Sequence, residues 1–310
     1  MKFTIYQNSR QGPRPYNQDR LAYSYSKDAV LLVLADGMGG HRHGEVAAQL
    51  AVKMLTDAFQ REAMPDLDDP AEFLTRNIQQ IHTAIEHHAT SHDMLEAPRT
   101  TLVAAVLQNN GFSCAHVGDS RFYHFRQGKL LFKTEDHSIV QLLHKRGIID
   151  KKGMSTHPDR SKIYNCLGGD KTPKIDIAQS QDLRHGDTFL LCSDGLWSVI
   201  DDKEIGTLLN AGPINVTVPK LLDLADALNN EGTHGDNISA IGLQWQELQD
   251  ASLGISTLAM PLGKTTTIIN PPTHQPTIRD DEGQEMPDLT DEEIEKAILE
   301  IQTAIQKTMR

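Results

Sequence analysis

Four aspartates in this chain stand where runs of apolar residues stop. Leu31–Ala35 runs into Asp36-Gly37, Phe189–Ser193 runs into Asp194-Gly195, and Phe112–Val117 ends at Gly118-Asp119-Ser120. Gly235-Asp236-Asn237 lies just before the apolar segment that opens at Ile238. Taken singly, Asp-Gly and Gly-Asp are ordinary turn pairs. Taken together they say more, because core strands laid side by side bring strand-end carboxylates into one cleft. Uncompensated carboxylates that close repel one another and take up protons. Hard divalent cations relieve that repulsion, and an oxygen-only donor set selects Mg2+ or Mn2+ over zinc. Near the start, Arg14-Pro15-Tyr16-Asn17-Gln18-Asp19 sets an arginine five residues before a further aspartate. A guanidinium is a planar fork of donors that fits a phosphate bidentately and stays charged at any working pH. Metals plus one arginine suit a phosphoryl group, although spacing alone fits a surface arginine in a loop at least as well.

Positioning such groups requires buried strands, and the sequence supplies them. Leu31–Leu34, Leu102–Leu107, Phe112–Val117 and Phe189–Cys192 are short apolar runs of the buried-strand kind. Between the first two lie two amphipathic helices. One opens after Gly44 and repeats Val46, Leu50, Met54; the other opens at Asp69-Pro70, an N-cap followed by Pro, and continues through Leu74, Ile78, Ile81 and Ile85. A third helix is predicted over Pro219–Leu228. Strands grouped as hairpins, with helices segregated between the groups, point to sheet layers covered by helices rather than a regular βαβ alternation.

The 310 residues carry 42 acidic against 30 basic side chains, a net charge of −12. That balance, with no basic run of five or more residues, argues against a general nucleic-acid or anionic-membrane binder. The longest purely apolar run, Ala29–Ala35, has seven residues, and a membrane span needs about 20. Met1–Arg10 lacks the pattern of a secretory signal. Cys114, Cys166 and Cys192 form no CxxC pair and read as free thiols in a reducing compartment, so a cytoplasmic setting is expected. From Asp250 onward there is no Phe, Trp or Tyr, and five of the fourteen prolines fall there. The expected organisation is therefore a catalytic domain over 1–246, a flexible linker over 247–288 and an amphipathic helix over 289–310. That helix is opened by the capping box Thr290/Glu293 and striped by Ile294, Ala297, Ile298, Ile301 and Ile305.

The ordered motifs resemble those of the protein phosphatase 2C family, metal-dependent serine/threonine phosphatases, and its bacterial type in particular. They are Arg14-x-x-Asn17-Gln18-Asp19, Ala35-Asp36-Gly37-Met38-Gly39-Gly40-His41, Thr100-Thr101-Leu102-Val103, His116-Val117-Gly118-Asp119-Ser120-Arg121, Glu135-Asp136-His137-Ser138, Leu191-Cys192-Ser193-Asp194-Gly195-Leu196-Trp197 and Gly235-Asp236-Asn237-Ile238. The resemblance implies an α+β fold, a four-layer α-β-β-α sandwich of two antiparallel sheets flanked by helices, with the metal cleft at one end. It implies that Asp36 bridges two Mn2+ or Mg2+ ions with the Gly37 carbonyl on one of them. Asp194 and Asp236 then complete the other, Asp19 holds coordinated water, and Asp119 with Asp194 offers the place of a third ion. Arg14 would hold the substrate phosphate. Two cations about 3.5–4 Å apart acidify a shared water and clamp an in-line displacement at phosphorus, so no phosphoenzyme is needed.

The leaving Ser or Thr oxygen needs a proton. Animal-type members carry a histidine directly after the Asp-Gly pair, where this chain has Met38; His41 is the nearby alternative, in competition with a metal-bound water. Arg99 replaces the usual Gly before the Thr pair, and Gln18 stands where some members have Glu; neither removes a ligand. The expected activity is hydrolysis of phosphoserine and phosphothreonine in phosphoproteins, opposing a partner Ser/Thr kinase. The alternative is a regulatory module that docks partners through the segment 138–172, the family's variable flap, and the C-terminal helix. A nuclease would need a basic track for the strand, and none is visible. Thr265–Ile269 holds two Thr-x-x-Ile patterns of the kind that forkhead-associated domains read once phosphorylated. His88 and His92, four apart on a predicted helix, read as a solvated face rather than a zinc site. Trp197 and Trp245 are expected in the core or at its edge, and His137 is expected to make a structural hydrogen bond.

Overall fold

A computed structural model describes residues 2–38, 43–169, 171–231 and 235–246, together with short strand segments at 266–268, 278–279 and 285–286. Its centre is a pair of antiparallel sheets. One is ordered β1 (Lys2–Arg10), β10 (Ile238–Gln246), β9 (Thr188–Cys192), β6 (Arg121–Arg126), β7 (Lys129–Lys133). The other runs β2 (Asp19–Tyr25), β3 (Ala29–Asp36), β4 (Leu102–Gln108), β5 (Gly111–Val117), β8 (Asp176–Ser180), and Thr266–Ile268 (β11) pairs with the outer side of β2. Against the second sheet lie α1 (Gly44–Glu62) and α2 (Pro70–Ser91); against the first lie α6 (Asp202–Leu209) and α7 (Ile214–Glu231). Short helices α3 (Ile139–Lys145) and α4 (Lys151–Thr156) interrupt the segment after β7, and α5 (Asp194–Trp197) follows β9. The layers are those expected.

The continuous apolar run of β3 is explained by what covers its two faces. Leu31, Val33 and Ala35 enter the cluster under α1 and α2, beside Leu50, Leu55, Phe59, Leu74 and Ile78. Val30, Leu32 and Leu34 point the other way, into the layer between the sheets, beside Phe122, Phe189, Leu191, Ile241 and Leu243. A third cluster, with Tyr123, Phe125, Leu190, Ile205, Leu221 and Leu222, joins the first sheet to α6 and α7. A strand buried on both faces has no polar side, which is why its sequence shows no alternation.

Local chemistry sets the helix ends. Asp69 accepts hydrogen bonds from the N–H groups of Ala71 and Glu72 at 2.9 and 3.0 Å, with Pro70 at the first helical position, as the sequence indicated. The third helix differs from expectation. It starts at Ile214, five residues before Pro219, which sits inside it. The helix expected over Pro219–Leu228 therefore begins earlier than the sequence indicated; Ile214, Val218, Leu221 and Leu222 bury a common stripe, and that packing offsets the backbone bond a proline cannot make. The helix expected over 289–310 lies outside the described residues. Among the described residues no helix is long and apolar enough to cross a membrane.

Candidate metal centre

The strand directions carry the aspartates to one end of the sandwich. Asp19 opens β2 and Asp36 closes β3, and the two are cross-strand partners. Asp119 follows β5, Asp194 follows β9, and Asp236 precedes β10. Ser193 and Ser239 tie the last two together, the Ser193 N–H donating to the Ser239 carbonyl at 3.1 Å. One sheet therefore supplies Asp19, Asp36 and Asp119, and the other supplies Asp194 and Asp236.

The backbone around Asp36 is held from both sides. Its carbonyl accepts from the Thr100 hydroxyl and the Thr101 N–H, each at 2.8 Å, and its N–H donates to Thr101 Oγ1 at 3.3 Å. Gly37 follows where a side chain has no room, since a Cβ there would stand 2.5 Å from the Gly44 backbone. Gly118, at φ +105°, performs the same service for Asp119, its missing Cβ leaving space for Thr101. Asn237 fastens the loop that carries Arg14. Its amide donates to the carbonyls of Gln11 and Tyr16 at 2.7 and 3.0 Å, and its Oδ1 accepts from the Gln18 N–H at 2.9 Å. Ser193 Oγ donates to Asp19 Oδ2 at 2.8 Å. The Gln18 amide donates to Glu45 at 3.0 Å, so a Glu at 18 would here face a second carboxylate.

Electrostatics show the five carboxylates to be one group. Burial pushes Asp19 up to about 6, against the bonds from Ser239 and Ser193. Asp119 is pushed up to about 7, by burial first and by Asp136 second. Asp36 and Asp194 are raised well above the carboxylate range, again by burial first and then by their fellow aspartates. Arg14 donates to Asp236 at 2.7 Å. Burial would lower Arg14, but Asp236, Asp194 and Asp36 more than offset it and hold the cation charged.

These residues fit hard cations. Asp19 Oδ1 and Asp194 Oδ1 are buried and receive no hydrogen bond. Such acceptors are costly to leave unpaired, and a divalent ion satisfies them. Arg14, Asp19, Asp36, Gly37, Asp119, Asp194 and Asp236 thus gather at one end of the sandwich as the sequence indicated; His41 lies outside the described residues. Sequence reading did not assign Asn237, Ser193 or Arg121 a part. Arg121 grips Asp136 with two bonds of 2.8 and 2.7 Å and lies 3.5 Å over the Trp197 ring, linking the turn after Asp119 to α5. Its position two residues after Asp119 was the available signal.

A second group, His116, His137 and Asp176, brings its ligand atoms within 4.8 Å of one another. The hydrogen bonds argue that it holds no ion. His137 Nδ1 accepts from the Gly118 N–H at 3.1 Å and from Asn165 Nδ2 at 2.7 Å. The Asn165 amide is itself oriented by the Lys174 N–H and carbonyl. With two donors on Nδ1 the neutral ring keeps its proton on Nε2, 3.3 Å from Asp176 Oδ2, and that nitrogen has no lone pair for a metal. His137 instead anchors Gly118, and through it Asp119. Replacing His137 by Leu should raise the Mn2+ concentration for half-maximal activity about tenfold. His137→Asn, which keeps an acceptor in place of Nδ1, should stay within about threefold.

His88 corrects the sequence reading. It is 2 % exposed with neither ring nitrogen partnered, and its ring lies 4.2 Å from that of His92. Burial and the neighbouring His92 push it down to about 4, so it is a neutral core residue and not part of a solvated face. Its neighbours Ile81, Ala84 and Ile85 on the buried side of α2 show why the polarity of His misled.

Comparison with known proteins shows the family. A family model described as Protein phosphatase 2C matches residues 8–232. The chain is 34% identical over 200 residues to Serine/threonine phosphatase stp of Listeria welshimeri, covering 64% of this chain and 79% of that one. It is 35% identical over 214 residues to Serine/threonine protein phosphatase PstP of Mycobacterium tuberculosis, covering 69% of this chain and 40% of that one. Among solved structures, Stp1 from Staphylococcus aureus superposes with a TM-score of 0.71 at 30% identity, covering 80% of this chain and 96% of the other. The catalytic domain of PstP in complex with two manganese ions superposes with a TM-score of 0.66 at 30% identity, covering 79% and 99%. With its carboxylate cleft between two helix-covered sheets, the chain belongs to the protein phosphatase 2C family of metal-dependent serine/threonine phosphatases.

Proposed function

We propose that the chain releases phosphate from phosphoserine and phosphothreonine of phosphoproteins at the five-aspartate cleft, using two Mn2+ or Mg2+ ions with a place for a third. The observation that carries this reading is the pair of buried, unpartnered oxygens on Asp19 and Asp194 among carboxylates whose ionisation burial opposes. Asp36, the Gly37 carbonyl, Asp194 and Asp236 would hold the first two ions, Asp19 would act through water, and Asp119 with Asp194 would take the third. Bound there, the ions supply Lewis acidity to the phosphoryl oxygens and lower the pKa of a water. The protein's own contribution is placement. Thr100 and Thr101 fix Asp36, Asn237 fixes the Arg14 loop, and Arg14, held by Asp236, would present its guanidinium to the phosphate. A docking module has no use for carboxylates placed at this electrostatic cost.

Arg14→Ala should raise KM for a phosphothreonine peptide about tenfold and lower kcat about tenfold, because the fork grips the ground-state phosphate and grips the transition state more tightly still. Steady-state kinetics with Mn2+ test this, and unchanged KM and kcat would remove Arg14 from the phosphate site. We infer further that the partner is a Ser/Thr kinase whose products this chain reverses. A forkhead-associated domain reading phosphorylated Thr265–Ile269 is a second candidate partner. The buried thiols of Cys114 and Cys192 support a cytoplasmic setting.

We also place the domain boundary after Gln246, where β10 ends. The segment 247–288 is then a linker that leans on β2 through β11, and 289–310 is a helix. Deleting 253–310 should leave p-nitrophenyl phosphate turnover intact, whereas a collapse of folding would assign the tail to the core.

A further inference from the structure

The segment 138–172 contains seven Lys and Arg against three Asp, a balance of +4 in a chain whose total is −12, which leaves −16 for the rest. All seven cations are exposed. Lys145 pairs with Glu135, and Lys162 pairs with Asp159 at 2.6 Å. Arg146, Lys151, Lys152, Arg160 and Lys171 make no ion pair with any described residue.

Both roots of this segment are fastened to the rim of the cleft. At its start, the His137 N–H donates to the Gly118 carbonyl at 2.9 Å, next to Asp119. At its end, Leu167 and Thr100 exchange backbone bonds of 2.9 and 3.2 Å, and the Thr100 hydroxyl holds the Asp36 carbonyl. Between the roots, Ile139 N–H donates to the Lys162 carbonyl at 2.9 Å, closing the base. A phosphorylated side chain seated among the aspartates would therefore have the base of this cationic segment beside it.

We propose that the segment is a docking surface for acidic polypeptide, so that preferred substrates carry Asp or Glu beside the phosphorylated Ser or Thr. The argument rests on the reading of the cleft as a phosphatase site. An acidic protein repels acidic substrates at long range, and a local patch of unpaired cations at the cleft reverses that sign where the substrate lies. Each exposed cation–carboxylate pair shifts an equilibrium by a factor of roughly 1.5 to 5, so three engaged together give about tenfold. The preference belongs in KM, because these contacts are made equally in ground state and transition state.

The test uses the full chain with Mn2+ and phosphothreonine peptides of one length whose flanks are Glu, Gln or Lys. The Glu peptide should exceed the Gln peptide about tenfold in kcat/KM, and the Lys peptide should fall below both. The preference should shrink toward twofold in about 0.5 M salt. It should also vanish in the variant Arg146→Gln/Lys151→Gln/Lys152→Gln/Arg160→Gln, with p-nitrophenyl phosphate turnover unchanged. Equal kcat/KM for the three peptides, or a preference that survives the fourfold variant, overturns the proposal. Anisotropy of the labelled peptides reads docking without turnover. A Glu preference in binding with no hydrolysis of any substrate would support the docking surface and reject the catalytic reading. Absent peptide preference, sedimentation of the chain with phosphatidylserine vesicles that the fourfold variant loses would overturn the proposal and assign the patch to a membrane.

Discussion

Asp36→Asn is expected to lower kcat/KM for a phosphothreonine peptide by at least about 10^3-fold in the presence of Mn2+. The amide keeps the volume of the carboxylate, and the backbone at this position is fixed by Thr100 and Thr101 rather than by the side chain. Folding should therefore survive. Asp36 is also the carboxylate on which Asp19, Asp194, Asp236 and Asp119 all press. Removing its charge relieves that repulsion, so the metal-free variant should melt higher than the metal-free wild type at pH 8 while gaining less from added Mn2+. Thermal melts with and without Mn2+ check both halves. A variant that is inactive and also melts lower in the absence of metal would show that Asp36 serves the fold and not the ions.

The second large effect concerns pH and metal together. Folded-state values of about 6 for Asp19 and about 7 for Asp119 lie above the 3.8 of an unfolded carboxylate, and Asp36 and Asp194 are shifted in the same direction. Groups raised in this way favour the fold when protonated, so their contribution is complete below pH 3.8 and is lost as pH rises through the folded values. His88 and His137, at about 4 against 6.5 unfolded, act in the opposite sense. Their contribution is complete above pH 6.5 and is lost as pH falls toward 4. Metal-free protein should therefore lose at least ~5 °C in Tm between pH 6.5 and 8.5, a range over most of which the unfolded histidines are already deprotonated. Mn2+ should reverse the slope, because it replaces protons on the same oxygens and binds better as they leave. Calorimetry of chelator-stripped protein across that range measures it, and a Tm that rises with pH in the absence of metal would contradict the electrostatic account.

The sequence showed the chemistry more clearly than the scaffold. Asp36, Asp119, Asp194 and Asp236 were visible because each ends or precedes a strand buried on both faces, and such strands announce themselves by unbroken apolar runs. β1, β7 and β8 did not, since they lie toward the sheet edges, where exposed and half-buried residues mix. Supporting groups were harder still. Asn237 is chosen for carbonyls at positions 11 and 16, more than two hundred residues away, and no local pattern encodes that. Likewise the partner of the His137 ring, Asn165, is set by how the segment 138–172 folds back, with α3 and α4 inside it. Pro219 and His88 failed for a common reason: local preference was overridden by a buried helix face.

The most direct test of the central claim is a single turnover of a phosphothreonine peptide by Mn2+-loaded protein in 18O-labelled water. The account predicts inorganic phosphate carrying one 18O atom, an unlabelled threonine hydroxyl, and no phosphate on the protein after acid quench. Failure to release phosphate, label in the threonine oxygen, or an acid-stable phosphoprotein would contradict it.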